Sequence, residues 1–136
     1  MAAKLGAHVT MITKLGRDAF GENTLNNFRQ CGVDTGHVHF TDQASSGVAP
    51  ITVNREGQNA ILIVTGANDL LTVDEIEAAG DAIRRAAVLV CQLEIPLELN
   101  LAALRIARKA GVRTIFNPAP AKAALLAEAY QLSDIF

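Results

Sequence analysis

"VLVCQLEIPLELNLAALRIARKAGVRTIFNP", residues 88–118, carries a strand, a helix and a second strand in one stretch. Val88, Leu89, Val90, Cys91 and Leu93 make an almost unbroken apolar run, which suits a strand covered on both faces, as in a parallel sheet. Pro96 fits the first turn of a helix. Leu97, Leu101 and Leu104 recur on one helical face, while Glu98, Arg105, Arg108 and Lys109 fall on the watery side. Gly111 stops that helix, and "VRTIF", residues 112–116, is the next strand. Strand, helix, strand in this order predicts a parallel pair joined by a right-handed crossover.

Two polar residues stand where the strands end. Glu94 follows the first strand and Asn117 closes the second. Ligands of open α/β sheets bind at the carboxyl ends of the strands. If these strands are neighbours, their ends lie about 5 Å apart, and a carboxylate and an amide can reach one polar ligand. Each residue also has an ordinary explanation, a solvated strand end for Glu94 and a turn former before proline for Asn117.

Outward from this stretch the same rhythm continues. "HVTMI", residues 8–12, reads as a strand, and Asp18 is placed to cap a helix carrying Phe20, Leu25, Phe28 and Cys31, with Gly32 just past its end. "HVHF", residues 37–40, is a short strand. Thr72 and Glu75 spell a capping box at the start of a helix with Val73, Ile76 and Ile83 on one face. A last helix is expected over about 122–131. One piece breaks the rhythm: residues 48–53 and 59–64 read as the arms of a hairpin around the turn 54–58, with Pro50 marking an edge. "TGAN", residues 65–68, connects it to the next helix, with Gly66 supplying a positive φ and Asn68 bonding back to the backbone. The fold class is α/β.

Composition narrows the function. The formal net charge is −2 with no basic block, so no nucleic-acid or anionic-membrane surface is expected. No apolar run is long enough to span a bilayer, and the amino-terminal residues lack a secretory core. Cys31 and Cys91 read as buried free thiols in a reducing compartment. His8, His37 and His39 have no metal-binding spacing, and no phosphate-loop or dinucleotide fingerprint occurs. No Ser–His–Asp arrangement is legible. Both ends read as interrupted elements: "AAKLGA" as a last helical turn, "DIF" as the opening of a strand. The expectation is a piece of a longer protein.

Taken in order, "KLGRDAFGE" (14–22), "SGVAPITVNREGQNAILIVTGAN" (46–68), "CQLE" (91–94) and "FNPAPA" (116–121) resemble the ribokinase-like (PfkB) sugar-kinase family over residues 1–136. "VNREGQN" and "NPAPA" favour its ribokinase branch over the fructokinase and adenosine-kinase branches. The resemblance implies a three-layer parallel α/β domain, incomplete here, with a small β-lid hairpin at about 45–65. That lid would cover the sugar and form a homodimer contact. It implies that Glu94 binds sugar hydroxyls, as a carboxylate can accept several hydrogen bonds at once. Ala49 and Ile61 match lid positions that pack on the sugar, and Asn117 matches a position near the active site without an assigned contact. ATP and Mg2+, with a monovalent cation such as K+, would serve transfer to the 5-hydroxyl of D-ribose or a related small sugar, in the cytoplasm.

The pattern is incomplete. The family's early glycine-rich sugar segment and first lid strand would precede Met1. Its N-x-x-E motif would follow Phe136, and the G-A-G-D segment with the catalytic aspartate is not found. Phosphoryl transfer needs a positioned base and charge stabilisation. The resemblance therefore assigns no catalytic, metal or nucleotide residue to this chain, which is expected to be inactive alone. The alternatives are a truncated, non-catalytic sugar-binding or dimerisation module, or a fragment of another sugar or nucleoside kinase of the family.

Overall fold

A computed structural model describes residues 1–121 and 124–136. After a single 3-10 turn at Ala3–Leu5, β1 (Thr10–Gly16) leads through α1 (Ala19–Gln30) to β2 (Asp34–Thr41). β1 and β2 pair in parallel, with Lys14 opposite His39. Asp18 caps α1, its carboxylate accepting from the Gly21 N–H, and Gly32 follows the helix at φ +73°. The helix buries its Gly21 rather than the phenylalanine before it. A Cβ on Gly21 would lie 2.1 Å from the Gly16 carbonyl oxygen, so α1 meets β1 backbone to backbone there. That close approach turns Phe20 outward, where it is 62% exposed. Cys31, expected to be buried, is only half-buried, since no residue of α1 belongs to the main core.

The hairpin is β3 (Ile51–Val53) and β4 (Asn59–Ile61), antiparallel with Ile51 opposite Ile61, and a Val48–Val64 bridge extends its arms. A 3-10 turn at Gly66–Leu70 then leads to α2 (Val73–Ala78) and α3 (Gly80–Arg85). Both halves of the capping box are formed: Glu75 N–H donates to Thr72 Oγ1, and Thr72 N–H to the Glu75 carboxylate. One helix was expected here. It breaks at Ala79, whose N–H is shared among several carbonyls, next to a low-propensity glycine. Ile76 and Ile83 still reach the core, while Val73 in the first turn is exposed.

β5 (Val88–Gln92), α4 (Leu97–Lys109) and β6 (Arg113–Asn117) follow as the sequence predicts, and β5 and β6 are parallel neighbours with Gln92 opposite Asn117. Ile135 forms a parallel bridge to Ile115, so "DIF" does begin to pair. α5 is shorter than expected, Ala127–Gln131; residues 124–126 precede it as extended or irregular chain, and Lys122 and Ala123 lie outside the described residues. The core gathers Ile76, Ile83, Leu93, Leu99, Leu101, Leu104, Ala107, Val112 and Phe116. β5 departs from the sequence reading in one respect. Its Cys91 side is buried, but Val88 and Val90 are 42% and 64% exposed. Successive strand residues point to opposite faces, and among the described residues helices cover only one of them.

The α/β class therefore holds, as parallel strand pairs rather than one continuous sheet. The β1–β2 pair is tied to α2 by a half-buried cluster. The Lys14 ammonium lies 2.8 Å from the Glu75 carboxylate and donates to the Leu70 carbonyl at 2.7 Å. His39 Nδ1 stands 3.6 Å from the same carboxylate. Burial pushes the Glu75 carboxyl up, but the Lys14 hydrogen bond, the Thr72 N–H and His39 together hold it below its ordinary value.

Candidate functional site

The carboxyl ends of β5 and β6 form the candidate site. Because Gln92 and Asn117 are register partners, Glu94 leaves β5 beside the end of β6. The loop that carries it is fixed from several sides. Leu93, 2% exposed, anchors it in the core, and its N–H donates to the Ala119 carbonyl at 3.1 Å. Asn100, in the first half of α4 and 1% exposed, donates from Nδ2 to the Gln92 carbonyl at 3.0 Å. Gln92 Oε1 accepts from the Glu94 N–H at 3.0 Å. The backbone of Glu94 is thus held while its side chain is exposed. An exposed carboxylate on a fixed stem can accept hydrogen bonds from adjacent hydroxyls. Asn117 is exposed on the neighbouring strand end.

Ala49 and Ile61 stand on opposing arms of the hairpin, both exposed. Among the described residues, no hydrogen bond joins the hairpin to the Glu94 loop. β3 and β4 pack on each other and leave Ile51, Val53, Ile61 and Leu62 between 52% and 67% exposed.

What the sequence reading missed is how the hairpin is rooted. Ser46 donates to Asp18 twice, from its N–H at 2.7 Å and from Oγ at 2.8 Å, and Ser46 Oγ accepts from the Gly16 N–H at 3.0 Å. The Gly21 and Ser46 N–H groups and the Ser46 hydroxyl hold the Asp18 carboxyl below its usual range. The available signal was the close spacing of Gly16, Asp18 and Gly21 right after a strand, which looks like helix capping and nothing more. Asn68 also differs from expectation: its backbone N–H bonds to the Thr65 carbonyl, while its side chain lies against Gly47, where a Cβ would come within 2.9 Å of Nδ2. Gly66 has the positive φ expected of it, +52°.

Among the described residues, no three His, Cys, Asp or Glu side chains gather to hold a metal ion. Among the described residues, no helix is long and apolar enough to cross a membrane. A concavity of about 440 Å³, lined by Arg108, Val112, Arg113 and Asp134 among others, opens at the amino end of β6, opposite Glu94. Its position argues against a substrate site in this fold class.

Residues 1–136 match the model of the pfkB family of carbohydrate kinases. The chain belongs to this family. It is 46% identical over 135 residues to a ribokinase from Mus musculus, covering 99% of this chain and 42% of that protein. It is 42% identical over 120 residues to a deoxyribokinase from Salmonella typhi, covering 88% of this chain and 39% of that one. Among solved structures it superimposes on Arabidopsis thaliana ribokinase complexed with ribose and ATP with a TM-score of 0.85 at 28% identity, covering 98% of this chain and 44% of that one. The pfkB-family chain thus spans about two fifths of the length of such relatives. Its ribokinase-like fold, with parallel strand pairs and an outlying hairpin, agrees with that likeness.

Proposed function

We propose that this chain is the sugar-side portion of a ribokinase, whose full-length form moves the γ-phosphoryl group of MgATP to the 5-hydroxyl of D-ribose. The observation that carries this reading is the exposed carboxylate of Glu94 on a fixed stem, beside Asn117 at the carboxyl ends of paired parallel strands. Glu94 accepts hydrogen bonds from a vicinal pair of ribose hydroxyls and so orients the sugar. The hairpin, through Ala49 and Ile61, covers the sugar and keeps water from the reacting group. Its exposed apolar residues also suit a homodimer contact. ATP, Mg2+ and a monovalent cation such as K+ are assigned no residue of this segment. The segment alone does not turn sugar over, because the base and the charge stabilisation that phosphoryl transfer needs are assigned to none of its residues, and the protein acts in the cytoplasm.

The test is steady-state kinetics of the full-length protein carrying Glu94→Gln, at saturating ATP and varied ribose. A hydrogen bond to a charged group is worth roughly 1.5–3 kcal/mol, so kcat/KM for ribose should fall about 10- to 150-fold. ATP affinity should be unchanged. An unaltered kcat/KM in an equally stable variant returns Glu94 to a solvated strand end. The likeness to a deoxyribokinase supports a second reading, in which 2-deoxyribose is the preferred acceptor. Comparing kcat/KM for the two sugars decides between them.

A further inference from the structure

β1, α1 and the hairpin root meet with almost no side-chain volume between them. A Cβ on Gly16 would lie 2.4 Å from the Ser46 backbone nitrogen, and one on Gly21 would lie 2.9 Å from Ser46 Oγ. The two limbs of the hairpin root are equally close. The Ala67 N–H donates to the Ser45 carbonyl at 2.8 Å, and a Cβ on Gly66 would fall 2.4 Å from that same oxygen. Val48 and Val64 then exchange backbone hydrogen bonds at 2.9 Å. Beyond this bridge every residue from Ala49 to Ile63 is exposed.

Into this junction Asp18 places a carboxylate whose two oxygens are used differently. Oδ1 accepts from the Gly21 N–H and the Ser46 hydroxyl, each at 2.8 Å, and Oδ2 accepts from the Ser46 N–H at 2.7 Å. Capping α1 needs only one oxygen. The second oxygen and the hydroxyl contact belong to the hairpin.

We propose that Asp18 is a positioning residue: through its paired hydrogen bonds to Ser46 it fixes the direction in which the hairpin leaves the body of the protein, separately from its capping of α1. The consequence for catalysis rests on the reading of the hairpin as a sugar cover. With its root held, the hairpin approaches the Glu94 end of the sheet as one preset body, and ribose meets a cover that needs little ordering.

Asp18→Asn separates the two roles. Asparagine caps helices about as well as aspartate. Its amide keeps one acceptor oxygen and turns the other position into a donor, which opposes the Ser46 N–H or hydroxyl. In the full-length protein, hydrogen–deuterium exchange over 19–30 should stay as in wild type, while exchange over 45–67 rises roughly tenfold, as for a lost charge-assisted bond at a partly solvated site. The KM for ribose should rise more than kcat falls. Ser46→Ala should reproduce part of this, and the double variant should add little to Asp18→Asn, as expected of coupled partners. Asp18→Ala should raise exchange in both segments.

Unchanged exchange over 45–67 in Asp18→Asn overturns the proposal. So does raised exchange without any rise in KM, in an enzyme that phosphorylates ribose. A wild-type protein that does not phosphorylate ribose overturns the sugar reading instead, and the exchange measurement still judges the role of Asp18.

Discussion

"VLVCQL" at 88–93 and "AILIV" at 60–64 are similarly apolar, yet they meet opposite surroundings. β5 packs one face under α4, with Leu93 and Cys91 buried, and β6 runs alongside it. Among the described residues the hairpin has a partner strand but no covering helix, and all of its residues from 59 to 64 are exposed. Apolar sequence alone therefore does not determine burial. A strand is buried where the chain also supplies a layer to cover it. An apolar strand without such a layer is a surface for something else to cover.

The contrast can be broken most severely in the core. Leu104 on α4 is 0% exposed, so Leu104→Ala should remove about 2–5 kcal/mol of stability through lost burial and a residual cavity. Ile61→Ala in the hairpin, where the side chain is 52% exposed, should change stability by no more than about 0.5 kcal/mol. Urea unfolding of both variants measures the difference. Equal losses would mean the hairpin is part of the core after all.

Acid should loosen both regions, through different carboxylates. Asp134 is held below the ordinary carboxylate range chiefly by the Thr114 N–H, as Asp18 is by Gly21 and Ser46. Glu75 is held below its ordinary value despite burial that raises it, chiefly because Lys14 bonds to it. A depressed folded pKa gives stability that is complete above the unfolded value and lost as pH falls through the folded one. Thermal melts should therefore be level above about pH 5 and decline below it, with unfolding taking up protons. Stability that rises on acidification through this range would contradict these contacts.

The smallest effect separates the cysteines. Burial pushes the Cys91 thiol up to about 12, and only the thiolate reacts. Cys31 is half-buried at the end of α1, 3.7 Å from Asn27 Oδ1. A thiol reagent at neutral pH should label Cys31 in the native protein and Cys91 only after unfolding, as read by mass spectrometry. Native labelling of Cys91 would show that the β5 layer opens.

Legibility in the sequence followed how local the signal is. The capping box of Thr72 and Glu75, the stop at Gly32 and the β5–α4–β6 order all rest on neighbours in the chain, and all were readable. The outward turn of Phe20 was not, because it follows from Gly21 meeting Gly16 across the fold. The bare Val88–Val90 face was misread for a related reason, since a continuous apolar run does not say which layer lies opposite. At the candidate site, Glu94 and Asn117 stood out as polar breaks at strand ends, and their juxtaposition followed once the strands were neighbours. The hairpin positions Ala49 and Ile61 came only from family likeness. The second use of Asp18 was hidden behind a role that explained it adequately.

The backbone contact of Gly16 with Gly21 also inverts the usual map of mutational tolerance. In most folds the large buried side chains are the least replaceable. Here a single added methyl on Gly21 would sit 2.1 Å from a carbonyl oxygen, with no side chain able to move aside. In a saturation library the two smallest residues of this junction would be depleted in every substitution. Phe20 beside them, though the bulkiest residue of the helix start, would vary freely.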